Sequence, residues 1–264
     1  MTIKYLWVFP TLTFVFSTLA FIISTCLAHN NDHVGDIPFI SDTGAQPPES
    51  CYFGLFLILS AICMGISMYL RHREIMDYNF HESGEHPWWN ISSRIFLFMG
   101  YISVFGLILV ATFQETIVIF VHYFGAFLVF TCGVIYLFSQ TIFSYYMHLV
   151  TNRYIFVART VITLMIVLLY PIGIYCVVVA RPPEGVHGVH KWTSTEKNYE
   201  VRKLAAICEW LMAISFQIYI LTLGIELKSL ECHCPKLKNQ NRSISSVSTF
   251  SESMNSQALE SRIV

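Results

Sequence analysis

Six apolar runs constrain this chain more than any other feature of it. They extend over Tyr5 to Ala28, Cys51 to Leu70, Arg94 to Ala111, Ile117 to about Tyr146, Ile155 to Ala180 and Leu204 to Leu227. A helix that crosses a bilayer needs about 20 mostly apolar residues, and each run is near that length or above it. Only 12% of the 264 residues are charged, about half the share usual in a soluble domain. In hydrocarbon every backbone polar group must be satisfied within the protein, so runs of this kind become helices. The expected fold is all-α: a polytopic membrane protein with six transmembrane helices. Two domains are expected, a six-helix transmembrane domain over residues 1–227 and a disordered cytosolic tail over 228–264. That tail is rich in Ser and Asn and has too few apolar residues to offset the entropy of ordering.

The first run is longer and more aromatic than a signal core, so it is read as a retained helix. Six spans place both ends of the chain on one side. Lys4, Arg71, Arg73, Arg94, Arg153, Lys228, Lys236, Lys238 and Arg242 share that side, and the positive-inside bias makes both termini cytosolic. Arg181, Lys191, Lys197, Arg202 and Lys203 form a counter-signal in the last outer loop. The sequons at Asn90 and Asn241 then face the cytosol and should stay unmodified. Arg71-His72-Arg73 reads as a basic stop, followed by a polar loop from Glu74 to Ser93 with Trp88 and Trp89 at headgroup depth. Pro171 and Gly173 mark a kink in the fifth run. Net charge is −1, which gives no electrostatic reason to bind nucleic acid.

Between the first two runs lies Pro38 to Ser50, acidic and without Lys or Arg. Ser41, Asp42 and Gly44 favour a turn around Thr43, Ser41 and Asp42 because short polar side chains bond nearby backbone groups and Gly44 because it tolerates positive φ. Pro47 and Pro48 stiffen the approach to the next helix, with Glu49 and Ser50 placed to satisfy its first N–H groups.

Polar groups inside spans are costly, so each is a candidate. Gln114, Glu115, His122 and Glu209 fall at one depth near the first loop. They read either as a pocket for a lipid headgroup or protons, or as hydrogen-bonding glue between helices. Arg159, on the other half, reads as a ligand for a lipid phosphate or as a snorkelling side chain, and should not pair with Glu209. Cys63, Cys132, Cys176 and Cys208 read as small apolar packing residues; Cys26 and Cys51 flank the first loop and are a possible disulfide pair. Cys232 and Cys234 read as palmitoylation sites or as unmodified thiols. His122 is the one histidine well inside a span, and His29, His33, His187 and His190 lack a supporting ligand set. No metal, cofactor or catalytic residue is expected, and no nucleophile elbow or phosphate loop is present.

Phe39-Ile40-Ser41-Asp42-Thr43-Gly44 with Pro48-Glu49-Ser50 resembles the first-loop signature of the damage-regulated autophagy modulator (DRAM) family. So do Ala111-Thr112-Phe113-Gln114-Glu115, His122 with Gly125-Ala126, Cys132 to Tyr136, Gln140, Ser144-Tyr145, Arg159, Trp192, Glu196-Lys197, Tyr199 and Ile207-Cys208-Glu209-Trp210. Thr112 stands for the family's Asn, Thr193-Ser194 replaces Asn-Pro, and the tail is unmatched; length and tail look closer to the family's second paralogue than to its founder. The resemblance implies a six-span lysosomal or endomembrane protein that promotes autophagy without catalysis, with membrane lipids and autophagy or lysosomal membrane proteins as partners. A second reading, drawn from the cluster Gln114, Glu115, His122 and Glu209, is a lipid-binding or lipid-transfer protein; the wider superfamily adds a third, a plasma-membrane scaffold for a phosphoinositide kinase.

Overall fold

A computed structural model shows seven α-helices among the described residues. It describes residues 2–3, 5–82, 84, 86–180, 195–228 and 232–233. The helices are α1 (Val8–Asn30), a single turn α2 (Ile40–Thr43), α3 (Glu49–His81), α4 (Pro87–Thr112), α5 (Ile119–Tyr146), α6 (Arg153–Val179) and α7 (Tyr199–Leu227). All except α2 are long and apolar enough to cross a membrane. The chain also forms a separate minimal unit, in which β1 (Thr2–Ile3) pairs antiparallel with β2 (Cys232–His233). The side chain of Cys232 and the whole of Cys234 lie outside the described residues, as do His187, His190, Trp192, Asn241 and the tail from residue 234 onward.

The six long helices close a ring: α1 packs on α3 and α7, α3 on α4, α4 on α5, α5 on α6, and α6 on α7. Where lipid and interior are equally apolar, small residues and interhelical hydrogen bonds set the packing. A Cβ on Gly106 would sit 2.7 Å from the Gly125 carbonyl oxygen, and one on Gly125 would sit 2.9 Å from that of Gly106. The α4 and α5 backbones therefore touch at this crossing. Ser60 donates to the Thr13 carbonyl across α3–α1, and Ser103 to that of Val129 across α4–α5. Thr141 joins α5 to Thr163 of α6 and Tyr219 of α7. Met64, Met68, Tyr136, Leu137, Ile166, Tyr219, Ile220 and Leu223 fill the interior. Cys63, Cys132, Cys176 and Cys208 are all buried packing residues, whereas Cys26 and Cys51 are exposed and unpaired.

Three expectations are corrected. Helix α3 does not stop at Arg71: it continues to His81, and the Glu74–Ser93 loop shrinks to the link before Pro87. At 33 residues α3 is about 50 Å long, beyond the ~30 Å hydrocarbon core. Its extra turns have a buried face, because Ile75 and Tyr78 pack on Trp89, Phe143 and Met147. Gly44 has φ −106°, so left-handed geometry is not its purpose; a Cβ there would meet the Phe53 ring at 2.4 Å. Glu49 and Ser50 make no cap for α3, whose N-cap residue is Pro48 and carries no side-chain bond. Glu49 turns away to His33 and Asn31. Pro171 lies in the interior of α6, and a proline kink bends a helix without ending it.

Candidate functional site

Polar side chains gather at both ends of the ring. At the first-loop end they hold the first-loop segment against three other elements, α1, α7 and the α4–α5 link. Asp42 caps the α2 turn, its Oδ2 accepting the Phe39 N–H at 3.1 Å. The same oxygen accepts from Arg202 Nη2 of α7 at 3.0 Å, and the Arg202 guanidinium lies 4.4 Å from the centre of the Phe39 ring. Glu209, one of the sequence candidates, accepts the Ile40 N–H at 2.9 Å. Its neighbour Trp210 donates Nε1–H to the Pro38 carbonyl at 3.0 Å. From α1, Ser24 shares a 3.0 Å hydrogen bond with Thr43, whose hydroxyl also donates to the Ile40 carbonyl. From the α4–α5 link, Thr116 donates to the Ala45 carbonyl.

The other candidates at this end serve the same link. Glu115 Oε1 accepts from Tyr123 of α5 at 2.8 Å. His122 is buried, and its Nδ1 lies 2.7 Å from the Phe113 carbonyl oxygen. A carbonyl only accepts, so Nδ1 carries the proton and ties the start of α5 to the end of α4. Gln114 contributes its backbone carbonyl to the N–H groups of Ile117 and Val118. Asp42, Glu115 and Glu209 lie within electrostatic reach of one another and of Arg202. Burial, reinforced by the Glu115 charge, pushes the Asp42 carboxyl up to about 7, with Arg202 opposing the rise. The signature residues are thus the joints of a clamp between the first loop and α7.

The opposite end holds the cluster that sequence reasoning missed. Arg71 of α3 donates from Nη1 to Glu74 Oε2 at 2.7 Å and to Glu226 Oε2 at 2.8 Å. Arg159 of α6 donates to both oxygens of the same Glu226, at 3.1 and 2.9 Å, and to Thr222 of α7 through Nε. Ser144 of α5 accepts from both arginines, at 3.2 and 2.7 Å. Thr151, in the α5–α6 link, donates to Glu226 at 2.6 Å. Both arginine side chains are fully buried. Arg159 therefore neither snorkels to the surface nor presents a free guanidinium to a phosphate, and it stands apart from the first-loop cluster. Two Arg and two Glu sum to zero charge, the condition under which such groups persist inside a membrane domain. The available signal was an acid and a base within runs read as spans, Glu226 and Arg159, together with Arg71 and Glu74 at i,i+3 spacing.

Among the described residues, no group of three or more His, Cys, Asp and Glu is placed to hold a metal ion. Asn90 lies in the first turn of α4 and accepts from Asn79 at 2.9 Å.

Comparison with known proteins gives the Frag1/DRAM/Sfk1/Cwh43P N-terminal domain as a match over residues 5–230. The chain is 34% identical to human DNA damage-regulated autophagy modulator protein 1 over 194 residues, covering 74% of this chain and 79% of that protein. It is 31% identical to the mouse DNA damage-regulated autophagy modulator protein 2 over 225 residues, covering 82% and 78%. Transmembrane protein 150A of Xenopus laevis is 25% identical over 199 residues, covering 74% and 63%. These identities do not set the second paralogue above the first. No solved structure matches.

Proposed function

The chain belongs to the Frag1/DRAM/Sfk1/Cwh43P family, and on that premise we propose that it is a lysosomal or related endomembrane protein that promotes autophagy as a non-catalytic modulator. The observation that carries this reading is the ordered match to two autophagy modulators over most of the chain. In the proposed topology both termini face the cytosol and the first-loop clamp faces the lumen. The excess of Lys and Arg on the side of the two termini supports this topology. The protein's partners are membrane lipids and proteins of the autophagic or lysosomal membrane.

The test is autophagic flux in cells lacking the protein, read as turnover of a lipidated autophagosome marker with and without lysosomal inhibition. Flux should fall on deletion and recover on re-expression. Unchanged turnover would remove the assignment.

A further inference from the structure

Arg71, His72 and Arg73 follow one another on α3 but face different ways. Arg71 is fully buried in the ion cluster, His72 is half-buried and Arg73 is exposed. His72 Nδ1 lies 2.7 Å from the Ser93 hydroxyl of α4. That bond holds the two helices side by side at this level. Arg73 stands next to one partner of the bond, and the exposed Arg94 next to the other. Both arginine charges reach the His72 ring. Arg94 Nε–H donates to the Asn90 carbonyl one turn back at 3.1 Å, which spends one donor on the helix and leaves the Nη pair for an outside partner. Asp77, one turn beyond Arg73, pairs with His81 at 3.6 Å. Two guanidinium groups and an imidazole thus share one outer seam between α3 and α4.

The helices set the depth of this seam. Arg94 lies about 27 Å along α4 from Thr112, close to the ~30 Å thickness of a hydrocarbon core. Arg73 lies just past the apolar run that ends at Leu70. Both charges therefore stand at headgroup level. Toward the bilayer centre the same seam is apolar. Tyr69 is one turn before Arg73, Phe98 one turn after Arg94 and Tyr101 a further turn on, and all three are exposed. A Cβ on Gly65, beside them on α3, would come no closer than 3.8 Å to Val104 and 3.9 Å to Tyr101, so nothing crowds the seam there. Guanidinium groups present planar pairs of N–H donors that match phosphate oxygens. Two fixed positive charges at this depth favour a headgroup with net negative charge.

We propose that Arg73, His72 and Arg94 form a binding site for an anionic phospholipid, with its phosphate on the two arginines and an acyl chain along Tyr69, Phe98 and Tyr101. In the proposed topology the lipid belongs to the cytosolic leaflet. The proposal rests on the reading that membrane lipids are partners, and not on the role in autophagy.

The full chain is purified in detergent and mixed with equal amounts of dioleoylphosphatidylserine and dioleoylphosphatidylcholine, and retained lipid is read by native mass spectrometry. The variants are Arg73→Gln, Arg94→Gln and the two together, with Arg153→Gln of α6 as the control arginine at the same end. A thermal midpoint equal to wild type confirms that each is folded. Phosphatidylserine should be retained in preference. Each single variant should weaken its retention by about fivefold, and the double variant should erase the preference. Arg153→Gln should leave it in place. Equal retention of the two lipids by wild type, an unchanged preference in the double variant, or an equal loss in Arg153→Gln overturns the proposal. Excess inorganic phosphate should not displace the lipid; full displacement would assign the arginines to a free anion and overturn the lipid site. A failure here leaves the flux test standing, because it is read on purified protein.

Discussion

Removing the Glu226 carboxylate should be among the most damaging single changes available to this protein. That one group accepts from Arg71, twice from Arg159 and once from Thr151, and its side chain is 2% exposed. In Glu226→Leu, Arg71 keeps Glu74, while Arg159 keeps no carboxylate hydrogen bond and is left with the hydroxyls of Ser144 and Thr222 and the face of the Tyr219 ring. An arginine left buried without its counter-ion costs roughly 3–5 kcal/mol. At about 1.4 kcal/mol per decade, the folding equilibrium falls by two to four orders of magnitude. The assay is unfolding of detergent-purified protein by SDS or heat, followed by helicity and by monodispersity on size exclusion. Glu226→Gln, which retains the acceptor and loses the charge, should lie between wild type and Glu226→Leu. The decisive comparison is Arg159→Met with Glu226→Leu. A buried pair replaced as a unit by apolar residues is often neutral, and the Arg71–Glu74 pair stays balanced. The double variant should therefore be more stable than Glu226→Leu alone. If Glu226→Leu unfolds like wild type, or if the double variant loses the sum of its parts, the cluster is not a charge-balanced pin.

Other consequences follow from the packing and the clamp. Gly106→Leu drives a side chain into the Gly125 carbonyl and should cost at least the 1–3 kcal/mol of an overpacked core, read as a lower unfolding midpoint. Glu209→Ala leaves the Ile40 N–H without its acceptor and should cost about 1–3 kcal/mol, with faster protease cleavage of the first loop as the local readout. Asp42 titrates near 7 when folded and near 4 when unfolded, so between these values the folded state holds a proton that the unfolded state releases. Its contribution is full below about 4 and fades as pH rises to about 7. The thermal midpoint should fall from pH 5 to pH 8, and Asp42→Asn, with Glu115, Glu209 and Arg202 still facing the site, should flatten that slope.

The six spans were legible because a bilayer imposes a length and composition that no side-chain detail can disguise. The ends of the helices were less legible, for a physical reason. Arg71 and Glu74 look like a stop when counted as charges, yet each neutralises the other within one turn and Glu226 completes the balance. Long-range neutralisation has no local signature, so the true end of α3 and the pairing of Arg71 and Arg159 with Glu226 were hidden. Glu209 and His122 stood out as polar groups at helix ends, but their partners are backbone groups of Ile40 and Phe113, which no residue pattern announces. Gly44 was recognised as special for the wrong cause, since the constraint is the Phe53 ring rather than the backbone angle.

The account's central claim is an endomembrane modulator of autophagy, and the most direct test is where the untagged protein resides. Antibody detection across organelle fractions should place it with lysosomal membranes, with Asn90 and Asn241 unglycosylated. Residence at the plasma membrane or Golgi, or glycan on either asparagine, would contradict the proposed location or topology and displace the autophagy assignment.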